Sequence, residues 1–226
     1  MGNSEKYQFE IKEIDQNTTH GMILSRIAPG SKVLECGCAS GYRTRFMTEK
    51  MGCTVHIVEI DNNCFLSAME HAEKGYCGDL NRPLWYEYYE EERYDYILFA
   101  DVLEHLKNPE SVLESASNLL KQDGKIIFSV PNICHNDIII KLFYDHFNYT
   151  SLGLLDNTHI HFFGGRDLAR FADQAGLKIK QFNGLMIPTQ CTEQKWPGEV
   201  DKRLLDLLKE RELGEFYQYV ITCERK

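Results

Sequence analysis

The densest run of reactive side chains lies between Leu154 and Phe163, where the chain reads LLDNTHIHFF. An acid, an amide, a hydroxyl and two imidazoles are set among apolar residues there, too apolar a context for a plain surface loop. Imidazole titrates near neutrality, so His159 is a candidate general base, with Asp156 to orient it or to bind a substrate hydroxyl. The alternative is an Asx-type turn from Asp156 and Thr158 over a structural His159. His135, His159 and His161 are also conceivable metal ligands, but no carboxylate cluster accompanies them and no metal is expected.

A second constellation lies upstream. The apolar run KVLEC leads into ECGCASGYRT, a glycine-containing turn that opens a helix. In an open α/β sheet this is where ligands meet the free N–H groups of helix N-termini. A dinucleotide fingerprint needs three glycines, yet from Gly37 this loop has Ala39 and Tyr42 at the second and third places, which argues against NAD or FAD. Glu35 beside the loop repels a pyrophosphate and attracts an ammonium. VHIVEID then places Glu59 and Asp61 at the next strand end, where Glu59 can accept from both hydroxyls of a ribose. A ligand with a ribose, an ammonium and no phosphate satisfies both acids: S-adenosylmethionine.

These groups require a scaffold. From Lys32 the chain alternates β-branched runs with helical stretches: KVLEC, then 41–51, TVHIVEI, 62–73, YDYILFA, 109–121 and KIIFSV. The absence of hairpin signals and the continuous apolar strands predict a parallel sheet covered on both faces. Asn108 is placed to cap the helix that begins at Pro109. After Pro131 the rhythm breaks for about thirty residues. A helix over GGRDLARFADQAGL, a strand LKIKQF, an amphipathic helix over 200–211 with Val200, Leu204, Leu207 and Leu208 on one face, and a strand EFYQYVITCE follow.

The length of 226 residues suits one domain, with a core over about 20–132, an insertion over about 133–164 and the remaining sheet over 165–226. A formal charge of −9 without clustered Lys and Arg argues against a nucleic-acid partner. Eight cysteines without a CxxC pair read as reduced thiols, mostly buried, in a cytoplasmic protein. MGNSEKYQFE lacks the apolar core of a signal peptide and has Lys6 where a myristoylation signal needs Ser or Thr, and no run reaches membrane-span length. A soluble, unanchored chain is expected.

VLECGCASG, VEID, CGDL and YDYILFADVLEHLKNP, in that order, resemble the successive motifs of class I S-adenosylmethionine-dependent methyltransferases, over roughly Lys32 to Pro131. The resemblance implies a Rossmann-like three-layer sandwich around a seven-stranded, mostly parallel sheet whose last strand is antiparallel, with a small insertion after the fifth strand. It further implies that Glu35, Gly37 and Gly41 surround the methionine part of the cofactor, Glu59 and Asp61 lie by the ribose, and Asp79 and Leu80 flank the adenine. Ala100 and Asp101 lie near the sulfonium, and Glu104 and His105 support the site or serve the fold. S-adenosylhomocysteine is the expected product. Asp79 as a turn former and Asp101 as a helix cap are the alternatives. Ala39, where the family has glycine, implies a slight loop adjustment.

The later region resembles a bacterial subgroup that accompanies polysaccharide and other sugar-modifying pathways. The matches are Asn132 and His135, then Phe147, Tyr149 and Thr150, then Leu154, Leu155, Asp156, Thr158, His159, Phe162 and Phe163. His161 stands where the subgroup has Arg, and Gly164 where it has Thr. The resemblance implies methyl transfer to a hydroxyl or amino group of a sugar, nucleotide-sugar or glycan intermediate. His135, Tyr149 and His161 would line the acceptor pocket. A protein that keeps the cofactor fold without turnover is the competing expectation.

Overall fold

A computed structural model describes residues 11–196 and 198–226. The stretch considered for a leader, residues 1–10, lies outside the described residues. Seven strands form one sheet: β1 (Lys32–Cys36), β2 (Thr54–Glu59), β3 (Lys74–Cys77), β4 (Tyr94–Ala100), β5 (Leu120–Pro131), β6 (Leu177–Met186) and β7 (Phe216–Arg225). Their order is β3-β2-β1-β4-β5-β7-β6, and β7 runs antiparallel to both its neighbours while β1 to β5 are parallel. Chain order reverses between β1 and β4, so their carboxyl ends diverge into the crevice where such sheets bind ligands.

Strand residues point alternately to the two faces, which divides the core in two. Leu34, Phe99, Phe128 and Ile221 pack on one face, with Val112 and Leu113 of α4 (Pro109–Ser117) and Phe171 of α6 (Leu168–Gln174). Val33, Ile57, Leu98 and Val220 pack on the other, under α1 (Thr19–Leu24), α2 (Tyr42–Met51) and α3 (Asn62–Met69). This parity directs Glu35, two residues after Val33, toward α2. The expected three-layer sandwich with an antiparallel last strand is therefore present.

Several elements differ from the sequence expectation. β3 carries no periodic signal because it is a four-residue edge strand containing Gly75. That glycine is required, since a Cβ there would lie 2.4 Å from the Met69 sulfur and 2.7 Å from the Phe65 ring. The region after Pro131 contains α5 (Asn136–Phe143), hidden in the sequence by three consecutive isoleucines of low helix propensity. Asn108 occupies the N-cap of α4 but its side chain makes no capping bond; the Pro109 ring sets the helix start instead. On α7 (Lys202–Lys209) Leu208 is buried, whereas Leu207 is 64% exposed. All eight thiols are free; five are buried, Cys134 is half-buried, and Cys77 and Cys191 are exposed.

Candidate active site

The crevice contains a cavity of about 600 Å³, within the range of small-molecule sites. One wall is the β1–α2 loop. Gly37 and Gly41 have φ of 72° and 82°, and Cβ atoms there would come within 2.4 Å of the Val102 side chain and 2.5 Å of the Ala68 Cα. Ala39 adopts the same left-handed region at φ 50°, so the loop keeps its glycine shape at a cost of about 1 kcal/mol. Its N–H donates to Glu59 Oε2 at 2.8 Å.

Glu59 lines the cavity at the end of β2. Its other oxygen accepts from the N–H groups of Ile60 (2.8 Å) and Asp61 (3.0 Å). Three of its roughly four acceptor positions are thus filled by backbone, and the position left can take a single ribose hydroxyl. Asp61 caps α3 by accepting from the N–H groups of Asn63 and Cys64, both at 2.9 Å. Asp79 forms the turn that was its alternative reading, accepting from Asn81 N–H at 2.8 Å, and it lines the cavity next to the buried Leu80.

Glu35 departs from its expected place. It is 0% exposed, and its two oxygens are taken by Arg43 Nε (2.7 Å) and the Thr44 hydroxyl (2.6 Å). Strand parity turns it into the α2 layer, and Arg43 rather than Glu35 lines the cavity. The signal for this pair was an arginine and a threonine at the start of an otherwise core-facing helix. Asp101, at the end of β4, is among the acids that line the cavity. It sits at φ 59°, and its Oδ1 accepts from the Ser129 hydroxyl at 3.0 Å and from the Gln218 amide, whose oxygen accepts from Thr19. Water reaches Asp101 through the cavity, yet the surrounding protein raises its carboxyl from the ordinary value, opposed first by Arg43. It does not cap the turn at Leu103–His105, whose N-cap is Val102.

The lining also includes Pro131, Leu152, Gly153, Asp156, Thr158, His159, Tyr217 and Gln218. The Asx turn is present: Asp156 Oδ1 accepts from the N–H (2.9 Å) and the hydroxyl (2.6 Å) of Thr158. The His159 ring is 7% exposed, and its Nε2 lies 4.0 Å from Glu104 Oε1. Burial lowers the His159 imidazole from its ordinary value, His105 adds to the lowering, and Asp156 opposes it. Burial first and Asp101 second push the Glu104 carboxyl well above its ordinary value.

Three expected pocket residues lie elsewhere. His135 is fully buried and caps α5, accepting from Asp137 N–H at 3.1 Å while Nε2 reaches the Ile187 carbonyl at 2.9 Å. Tyr149 is exposed against Phe147, and His161 pairs with the Lys107 carbonyl at 3.3 Å. The three histidines considered as metal ligands are therefore dispersed; the histidine beside His159 is His105, ring centroids 4.8 Å apart. Arg43, Tyr217 and Gln218 were missed, the last two because residues of the final strand have no sequence proximity to the glycine loop.

Among the described lining residues six carboxylates, Glu59, Asp61, Asp79, Asp101, Glu104 and Asp156, face one guanidinium, Arg43. Such a field disfavours a polyphosphate and suits a cationic sulfonium with an amino-acid tail, so the donor set fits S-adenosylmethionine.

A family model described as a methyltransferase domain matches residues 13–181. A ubiquinone biosynthesis O-methyltransferase of Glaesserella parasuis is 32% identical over 110 residues, 46% of each chain. One of the same name from Actinobacillus pleuropneumoniae is 25% identical over 174 residues, 74% of each chain. In fold the chain is similar to magnesium protoporphyrin IX methyltransferase from Synechocystis, a structure with bound S-adenosylhomocysteine. That comparison has a TM-score of 0.56 at 14% identity and covers 91% of this chain and 78% of the other. Among the described residues no helix is long and apolar enough to cross a membrane. The match over most of the chain, on a sheet of this topology, places it in the methyltransferase-domain family as an S-adenosylmethionine-dependent methyltransferase.

Proposed function

We infer that the chain methylates a hydroxyl of a small acceptor, a sugar or sugar-linked intermediate, in the cytoplasm. The observation that carries this reading is one continuous cavity lined both by Glu59, Asp79 and Asp101 and by hydrogen-bonding groups of Asp156, Thr158, His159 and Gln218. A polyol is recognised by such donors and acceptors. The resemblance around LLDNTHIHFF and eight free thiols suited to a reducing compartment agree with it.

When bound, S-adenosylmethionine supplies a methyl group activated by its sulfonium. The work left to the protein is alignment and acceptance of a proton. The β1–α2 loop, Glu59 and Arg43 would hold the cofactor, and Asp101 would sit near its ammonium. The sequence candidate for the base is His159, beside which the fold sets His105. A second reading, a phenolic hydroxyl as acceptor, is favoured by the names of the two relatives.

Transfer of labelled methyl from S-adenosylmethionine to nucleotide-linked sugars, amino sugars and dihydroxybenzoates separates these. Turnover of the sugars supports the reading, and turnover confined to phenols replaces it. Binding of S-adenosylhomocysteine with no transfer to any class would reduce the chain to a cofactor-binding protein.

A further inference from the structure

Two imidazoles face the acceptor end of the cavity, and they are held differently. His105 ends the single 3-10 turn after β4, half-exposed on the cavity wall. Its Nδ1 lies 3.1 Å from the Thr158 carbonyl. A carbonyl only accepts, so Nδ1 carries the proton and the lone pair of the neutral ring is on Nε2. His159 has no equivalent hold: the Leu154 backbone approaches its ring, but its buried Nδ1 completes no well-formed hydrogen bond.

Glu104 supplies the second observation. It is 1% exposed, and its Oε2 has no hydrogen-bond partner. A buried carboxylate without a donor is unfavourable unless positive charge appears beside it. Ligating atoms of Glu104, His105 and His159 all lie within 4.8 Å of one another. The site is thus preorganised for a cation that forms during the reaction.

We propose that His105 is the proton acceptor for the substrate hydroxyl, through Nε2, with the Thr158 carbonyl fixing its tautomer and Glu104 offsetting the charge of the imidazolium. The assignment rests on the reading of this cavity as a hydroxyl-methylating site. The acceptor oxygen forms the bond to the methyl carbon as the carbon–sulfur bond breaks. The electrons of that bond stay on sulfur, now a neutral thioether, and the hydroxyl proton passes to Nε2 and then to water. His159 packs edge-on against the ring and limits its rotation. The titratable groups facing His105 are Asp101 and Glu104 from its own side and His159 and Asp156 from the segment across it.

The test is nitrogen NMR of the full chain with ¹⁵N-labelled histidine, saturated with S-adenosylhomocysteine, using His105→Gln and His159→Gln to assign the rings. The His105 signals of the neutral ring should show a protonated Nδ1 and a bare Nε2. Glu104→Gln should displace the His105 ring-nitrogen signals, as a change of the group beside the ring does. Protonation on Nε2 instead, or His105 ring signals unmoved by Glu104→Gln, overturns the assignment. So does broadening of both rings by stoichiometric Mn²⁺, which would make the cluster a cation site with His105 as ligand. Failure of S-adenosylhomocysteine to bind, measured first by calorimetry, would overturn the cofactor reading together with this one; normal binding with the wrong tautomer would overturn only this one.

Discussion

Arg43 and Glu35 form a buried ion pair at the cavity wall, Nε to Oε1 at 2.7 Å with the side chains 2% and 0% exposed. Removing one partner strands the other. Arg43→Met should destabilise the fold by about 3–5 kcal/mol, and the double change Glu35→Gln with Arg43→Met should recover most of that loss. Urea denaturation of the parent and the two variants measures it; equal losses in the single and double variants would show that the pair is not the cause.

The glycine loop makes opposite demands at neighbouring positions. Gly41→Ala puts a Cβ against the Ala68 backbone at positive φ, and should cost about 2–4 kcal/mol and weaken S-adenosylhomocysteine binding. Ala39→Gly removes strain from a residue already at φ 50° and should be neutral or stabilising by up to about 1 kcal/mol. Thermal melts with and without ligand compare the two.

Glu59, proposed to hold the cofactor, also sets loop geometry, because three backbone N–H groups converge on it. Glu59→Ala should weaken S-adenosylhomocysteine by at least tenfold, roughly the 1.5–3 kcal/mol carried by a hydrogen bond to a charged group. Calorimetry with 5′-methylthioadenosine, which keeps the ribose but lacks the amino acid, should show the same relative loss.

Glu104 sets a pH dependence. Its carboxyl is raised in the folded state, so the fold favours the protonated form. The stability this contributes is complete below the ordinary carboxylate value of 4.5 and is lost as pH rises through the raised one. Glu104→Gln should therefore be more stable than the parent at pH 8 and nearly equal to it at pH 4, as read by denaturation at both. Identical curves at pH 8 would remove Glu104 as the source.

The ligand-facing edge was legible in the sequence because strand ends are. Glu59, Asp61, Ala100 and Asp101 end or follow apolar runs, Asp79 and Leu80 were marked by the CGDL resemblance, and all six line the cavity. Glu35 also ends such a run, but which face a strand residue takes depends on parity within the folded sheet. His135 resembled a pocket residue in type and spacing, yet it caps a helix that three isoleucines disguised. The partnership of His105 with Thr158 spans 53 residues and arises only when the segment after α5 folds across the β4 turn.

The position of β7 gives the chain a timetable. It lies between β5 and β6 and contributes Gln218, which joins Thr19 to Asp101 by hydrogen bonds. During synthesis from the N-terminus, β6 has no neighbour to pair with and Asp101 lacks its amide partner until residues 216–225 emerge. The pocket assembled from the earliest strands is therefore completed by the last one made, and a ribosome-bound chain lacking that strand holds an open sheet and an unfinished site.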